Sequence, residues 1–384
     1  MTRPVRAKEM TGAMSNGRSL LMQRITVLVL ALILALGAAP GAAFAEGSQE
    51  EPEDMTPHCK ASILYEATTG TVLFEKNPDE KLPPASMTKV MTAIIVLEEN
   101  PNLEGTLTVS DKAVSQYYCS YMDSYHLRAG EVISYEDCMK YLLVLSGNEA
   151  ATSFAFDMCD DYHDFIDKMN AKAKELGCEN THFVDCVGLS AGEHYTTPRD
   201  MATMCEYAMK FDKFRECVSQ SGGTLPASNK REKDFNYDSI NYVMFPDDRY
   251  ESPYAQYITG VKTGFTNAAG WCFSGCMEKD GLVFYSVVMG SELLDYGDGE
   301  RVIQGDFLDT INLYSLTDGL TADNIAERYP QAGGKSPVWM IAAAVLILIL
   351  LVALWIRSVR NAHKLVKRIV EKAGQDGKGG SRLQ

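Results

Sequence analysis

Positive charge is scarce in the body of this chain. Residues 46–356 carry 23 Lys and Arg against 48 Asp and Glu, a net of −25. Such a surface repels a phosphate backbone, so nucleic acid is excluded as a partner. Metal-site spacings are missing too. Ten cysteines and six histidines form no C-x-x-C and no H-E-x-x-H or similar cluster, so no metal or other cofactor is expected. No internal repeat is visible, which argues against a solenoid or propeller. Long apolar runs are absent except at two places near the ends.

The first run, residues 25–37, follows Arg18 and Arg24 and leads to Ala43-Phe44-Ala45. Charge, apolar run and small-residue site come in the order of a secretory signal, so residues 1–45 are expected to be removed. The second run extends from Pro337 to Ile356, 20 residues without a charge. As a helix it would cover ~30 Å, the hydrocarbon core of a bilayer. Trp339 and Trp355 stand near its ends, and Arg357, Arg360, Lys364, Lys367 and Arg368 follow. Membrane lipid is therefore an expected partner, with a basic cytoplasmic tail over 357–384. Between the runs lie an acidic leader (46–57), a catalytic domain (58–316) and a linker (317–336). All ten cysteines fall from Cys59 to Cys276, on the exported side. That compartment permits disulfides, with buried free thiols as the alternative. Cys272 and Cys276, four residues apart in one predicted strand, would lie ~13 Å apart and should not pair.

Residues 61–66 and 71–75 alternate around Ala67-Thr68-Thr69-Gly70, a hairpin pattern. Helical spacing covers 86–99, 134–145, 148–176 and 198–211; residues 102–131 and 219–254 look loop-rich. Strands are predicted at 257–263, 270–277 and 282–289, and a last helix at 301–316. The implied fold class is α+β, an α/β/α sandwich. Its antiparallel sheet is formed by the two sequence ends around an inserted helical lobe.

Three short patterns carry chemistry. In Ser86-Met87-Thr88-Lys89 a helical spacing of three brings a hydroxyl and an amine together, and a desolvated lysine can deprotonate a serine. Ser146-Gly147-Asn148 presents a hydroxyl and an amide at a loop tip; alone, a helix cap explains it better. Lys262-Thr263-Gly264 ends a predicted strand with a cation, a hydroxyl and a residue that lets a ligand approach.

Together and in this order, the three patterns are far more specific. The chain resembles the D-alanyl-D-alanine carboxypeptidases, low-molecular-mass penicillin-binding proteins with a β-lactamase/transpeptidase-like fold. The likeness covers residues 60–316, including Thr181-His182-Phe183-Val184, Gly188-Leu189 and His194 to Ala202. It implies that Ser86 attacks the penultimate D-Ala carbonyl of peptidoglycan pentapeptide stems and that β-lactams acylate the same serine. Lys89 would be the base, Ser146 and Lys262 the relay to the leaving amine, and Asn148 the holder of the peptide carbonyl. The N–H groups of Ser86 and Phe265 would form an oxyanion hole beside Gly264, one donor being worth ~3 kcal/mol. Thr263, helped by Arg301, would take the terminal carboxylate. Tyr117, Tyr118, Tyr121 and Tyr125 depart from the family pattern, either rimming the groove or simply packing. Two rivals remain. A serine β-lactamase would need a water-activating glutamate, for which Glu175 and Glu179 lie in a plausible interval without the expected pattern. A membrane-anchored β-lactam or muropeptide receptor would need a tail that couples to a partner.

Overall fold

The computed structural model describes residues 54–116, 126–190, 192–295 and 302–330, with isolated positions 357, 360, 364 and 368. The signal segment, most of the leader, the four tyrosines, Arg301 and the 337–356 run lie outside them. Among the described residues no helix is long and apolar enough to cross a membrane.

Five strands form the central sheet: β1 (Ala61–Glu66), β2 (Thr71–Lys76), β3 (Ile258–Thr266), β4 (Gly270–Lys279) and β5 (Leu282–Ser291), in the order β2-β1-β5-β4-β3. Every pairing is antiparallel, and the two sequence ends meet where Ile63 opposes Val287. Alternation along the strands splits their side chains between two cores. Ile63, Cys272, Cys276, Tyr285, Val287 and Met289 face the helical lobe. Leu64, Phe273, Met277, Phe284 and Val288 face the opposite layer.

The lobe contains α1 (Lys89–Glu99), α2 (Tyr135–Leu143), α3 (Asn148–Met158), α4 (Tyr162–Glu175), α5 (Pro198–Ala208) and α6 (Asp212–Val218). On the other side α7 (Gly305–Ser315) packs Phe307, Leu313 and Tyr314 against the sheet. Nine successive residues of α1, Lys89 to Leu97, are buried, so this helix is the axis of the lobe rather than a surface element.

The helix expected over 148–176 is two helices. Cys159 is extended, and the Asp161 carboxylate accepts from His163 N–H to start a new helix. The helix from Pro198 stops at Ala208; α6 follows a short break at Phe211 and has too few residues to show a period. Residues 302–304 pair as a strand before α7 begins. The loop-rich stretches hold short pairs: Thr106–Thr108 with Val132–Ser134, and Gly222–Leu225 with Phe235–Asp238.

The nine described cysteines are free thiols, eight of them buried. They fill the cores as small apolar side chains, and burial pushes thiols such as Cys178, Cys205 and Cys272 up to about 12. Cys272 and Cys276 share one face of β4 and do not pair.

Asp306, in the first turn of α7, is 1% exposed, and neither carboxylate oxygen has a hydrogen-bond partner. Burial pushes its carboxyl up to about 8, against the pull of the nearby Phe307 and Asp306 N–H groups, neither of which makes a well-formed hydrogen bond, and Asp309 adds to the rise. The folded value lies above the unfolded one, so the protonated form favours folding. That contribution is fully present below the unfolded carboxyl range and lost as pH rises through about 8. Asp306→Asn is therefore expected to raise the melting temperature by ~3 °C or more at pH 9 and by clearly less at pH 5, near the bottom of the window. Thermal melts at the two pH values check this; an equal shift at both would refute the assignment to ionisation.

Candidate active site

Pro83-Pro84 ends the extended chain. Ala85, at φ 49°, then turns it into a short 3-10 segment, Ala85–Thr88, that runs into α1. This geometry sets Ser86 and Lys89 on one side. Lys89 is fully buried, and its Nζ donates to Ser86 Oγ at 2.8 Å and to the Val187 carbonyl at 3.0 Å. Ser86 is half-buried and opens on a cleft.

The Val187 carbonyl is held by a buried acid that the sequence reading did not assign. Asp185 Oδ1 accepts from the N–H groups of Val187 (2.9 Å) and Gly188 (2.5 Å), and Oδ2 from that of Ser190 (2.8 Å). Burial opposes its ionisation, but the charge His194 carries when protonated and these hydrogen bonds outweigh burial and keep the carboxyl below its ordinary value; with the ring neutral, the hydrogen bonds are what favour the carboxylate. His194 Nδ1 lies 3.1 Å from the Val184 N–H and so accepts, leaving Nε2–H to donate to Thr88 Oγ1 at 2.8 Å. Burial holds this imidazole below its usual range despite Asp185, consistent with a neutral ring. The turn bearing Ser86 and Lys89 is thus braced from behind. Gly188, at φ 88°, allows the contact: a Cβ there would lie 1.7 Å from the Ala85 carbonyl oxygen.

On the opposite wall runs β3. A Cβ on Gly264 would come within 3.1 Å of the Ser86 nitrogen and 3.0 Å of the Pro84 oxygen, so this strand passes in contact with the serine's own backbone. Lys262 is 2% exposed, and its Nζ donates to the Thr263 carbonyl at 3.0 Å. Burial first, and then the charge of Lys89, push its ammonium well below the ordinary lysine value. Two buried ammonium ions that feel each other repel, which disfavours protonating both.

Ser146 sits at φ 61° between α2 and α3, and Gly147 N–H donates to the Tyr141 carbonyl at 2.9 Å. Neither Ser146 nor Asn148 caps α3; the cap position is Gly147, without a side-chain bond. The capping explanation fails, and both side chains are left to the cleft.

Ser86, Ser146, Asn148, Thr263, Gly264 and Phe265 line one cleft of about 490 Å³. Lys89 and Lys262 lie buried beside it. Trp271 packs tilted against Phe265, ring centres 4.3 Å apart, and Tyr242 and Leu189 add apolar wall. His126 and Glu149 also line it; neither carries a spacing signal that sequence alone would single out. Glu175, by contrast, pairs with Lys172 on an exposed face, and Glu179 is exposed; neither lines the cleft.

A family profile for D-alanyl-D-alanine carboxypeptidase (peptidase S11) matches residues 47–292. The chain belongs to the D-alanyl-D-alanine carboxypeptidase family. It is a serine-type hydrolase of that family, 31% identical over 276 residues to D-alanyl-D-alanine carboxypeptidase DacF of Bacillus subtilis, covering 70% of this chain and 67% of that one. Carboxypeptidase DacC of Escherichia coli is 30% identical over 282 residues, 70% of this chain and 65% of its own. Among solved structures, the Streptomyces K15 DD-transpeptidase shares the fold, with a TM-score of 0.59 and 24% identity over 68% of this chain and 98% of that one. The ampicillin-bound penicillin-binding protein D2 of Listeria monocytogenes gives a TM-score of 0.50 and 27% identity over 67% of this chain and 96% of that one.

Proposed function

We propose that this carboxypeptidase removes the terminal D-Ala from peptidoglycan stem peptides through an ester on Ser86. The observation that carries the reading is the 2.8 Å hydrogen bond from Lys89 Nζ to Ser86 Oγ at the wall of the cleft. With Lys89 neutral, its amine accepts the hydroxyl proton as Oγ bonds to the penultimate carbonyl carbon. Charge on the carbonyl oxygen is taken by the N–H groups of Ser86 and Phe265, brought close by the passage of Gly264. Asn148 holds the peptide carbonyl, and Thr263 with Arg301 takes the terminal carboxylate. The peptide C–N bond then breaks, and the proton passes by way of Ser146 and Lys262 to the leaving D-Ala amine. Water cleaves the ester and restores Ser86. β-Lactams form the same ester. Glu175 and Glu179, the glutamates in the interval a β-lactamase would use, do not line the cleft, which favours the peptidase. The full-length protein in detergent is expected to release D-Ala from diacetyl-Lys-D-Ala-D-Ala; fast penicillin turnover without D-Ala release would favour the β-lactamase instead.

Residues 1–45 are read as a signal peptide and 337–356 as a single membrane span, with the catalytic domain extracytoplasmic and the C-terminus cytoplasmic. The uncharged 20-residue run and the basic residues after it support this reading. Alkaline washing of membranes should leave the protein in the pellet; release into the wash would overturn the span.

A further inference from the structure

Glu149 takes no part in the proton path above, yet it lines the cleft while only 2% exposed. Its two carboxylate oxygens reach different neighbours. Tyr141 OH donates to Oε2 at 3.2 Å, and His126 Nδ1 lies 2.8 Å from Oε1. Tyr141 also supports the Ser146 loop twice over. Its carbonyl accepts from Gly147 N–H, and its ring packs so close beneath Gly147 that a Cβ there would lie 2.4 Å away. His126 comes from a segment that is anchored independently. Glu131, 1% exposed, accepts from Arg128 N–H, from Ser228 Oγ and from Arg231 Nε at 3.1 Å.

We infer that Glu149 is a positioning residue for acylation: through Tyr141 and His126 it holds the Ser146-Gly147-Asn148 turn in place. A serine at positive φ, as Ser146 is, is strained, and such a conformation persists only where its surroundings over-determine it. Glu149 supplies that restraint by joining the turn to the clasped His126 wall. A carboxylate so nearly buried is itself stable there only with both partners. The inference rests on the roles proposed for Ser146 and Asn148.

The test uses the full-length protein, with penicillin acylation followed by fluorescent labelling and intact mass, and with kcat and KM for D-Ala release. Glu149→Gln is expected to lower acylation about tenfold, chiefly in kcat. In a Ser146→Ala/Asn148→Ala background the same change should cost less than about twofold, because both groups being positioned are gone. Tyr141→Phe, which removes one hydroxyl, should fold normally and lose about threefold with the same non-additivity. Wild-type rates in Glu149→Gln or Tyr141→Phe, or penalties that simply multiply with Ser146→Ala/Asn148→Ala, would overturn the inference while wild-type labelling at Ser86 still upholds the function. An unlabelled wild type overturns both.

Discussion

Ser86→Ala is expected to leave no covalent adduct with penicillin, whereas the wild-type protein gains the mass of one antibiotic molecule. D-Ala release from the tripeptide should fall by on the order of 10⁴-fold or more, since a nucleophile and its base act as a unit. The variant should still fold. Ser86 is only half-buried, and Lys89 keeps its hydrogen bond to the Val187 carbonyl when the hydroxyl is removed. Melting curves of the two proteins should therefore nearly coincide, which separates loss of chemistry from loss of structure. An adduct that persists in Ser86→Ala and maps to another residue would remove Ser86 from the mechanism.

Gly188→Ala tests the brace behind the nucleophile. The added methyl would lie 1.7 Å from the Ala85 oxygen, 2.4 Å from the Ala85 carbonyl carbon and 2.7 Å from Thr88 Oγ1. Two of these are backbone atoms of the turn that carries Ser86, so a rotamer change cannot relieve the clash. Either the turn or the Asp185–Ser190 loop must move, and either motion separates the Val187 carbonyl from Lys89 Nζ. A loss on the order of 4 kcal/mol is expected, with the melting temperature down by about 10 °C and acylation down at least ~100-fold. Gly192→Ala is the control. It shares a positive φ of 79° but meets nothing within 4 Å, so it should show only the backbone cost of ~1–2 kcal/mol. Equal melting temperatures and acylation rates in the two variants would refute the brace.

Much of the sheet was legible because its signals are local. Alternation and glycine turns mark β1, β2, β4 and β5 to within two residues, and the spacing of three from Ser86 to Lys89 is realised as a direct hydrogen bond. What escaped depends on contacts distant in the chain. The division at Cys159 interrupts an apolar pattern that carries on past it, and only Asp161, acting as a cap, reveals it. The pairing of Asp185 with the loop N–H groups, and of His194 with Thr88, joins segments that no periodicity connects. His126 and Glu149 were missed for the same reason: their meaning lies in a shared wall, not in a spacing. The cysteines were misleading in another way. Their even number fits an oxidising compartment, but nearly all those described serve as buried filler.

The pairing of Ile63 with Val287 also constrains how the molecule is made. A ribosome delivers the first hairpin more than 200 residues before the strand that must lie beside it. Until then one border of that hairpin has unpaired N–H and C=O groups and an apolar side without its cover. Closing so long a loop is slow, and the waiting chain is open to mispairing. The sheet therefore closes only after β5 has been made, whatever local structure the hairpin and the helices between have gained by then.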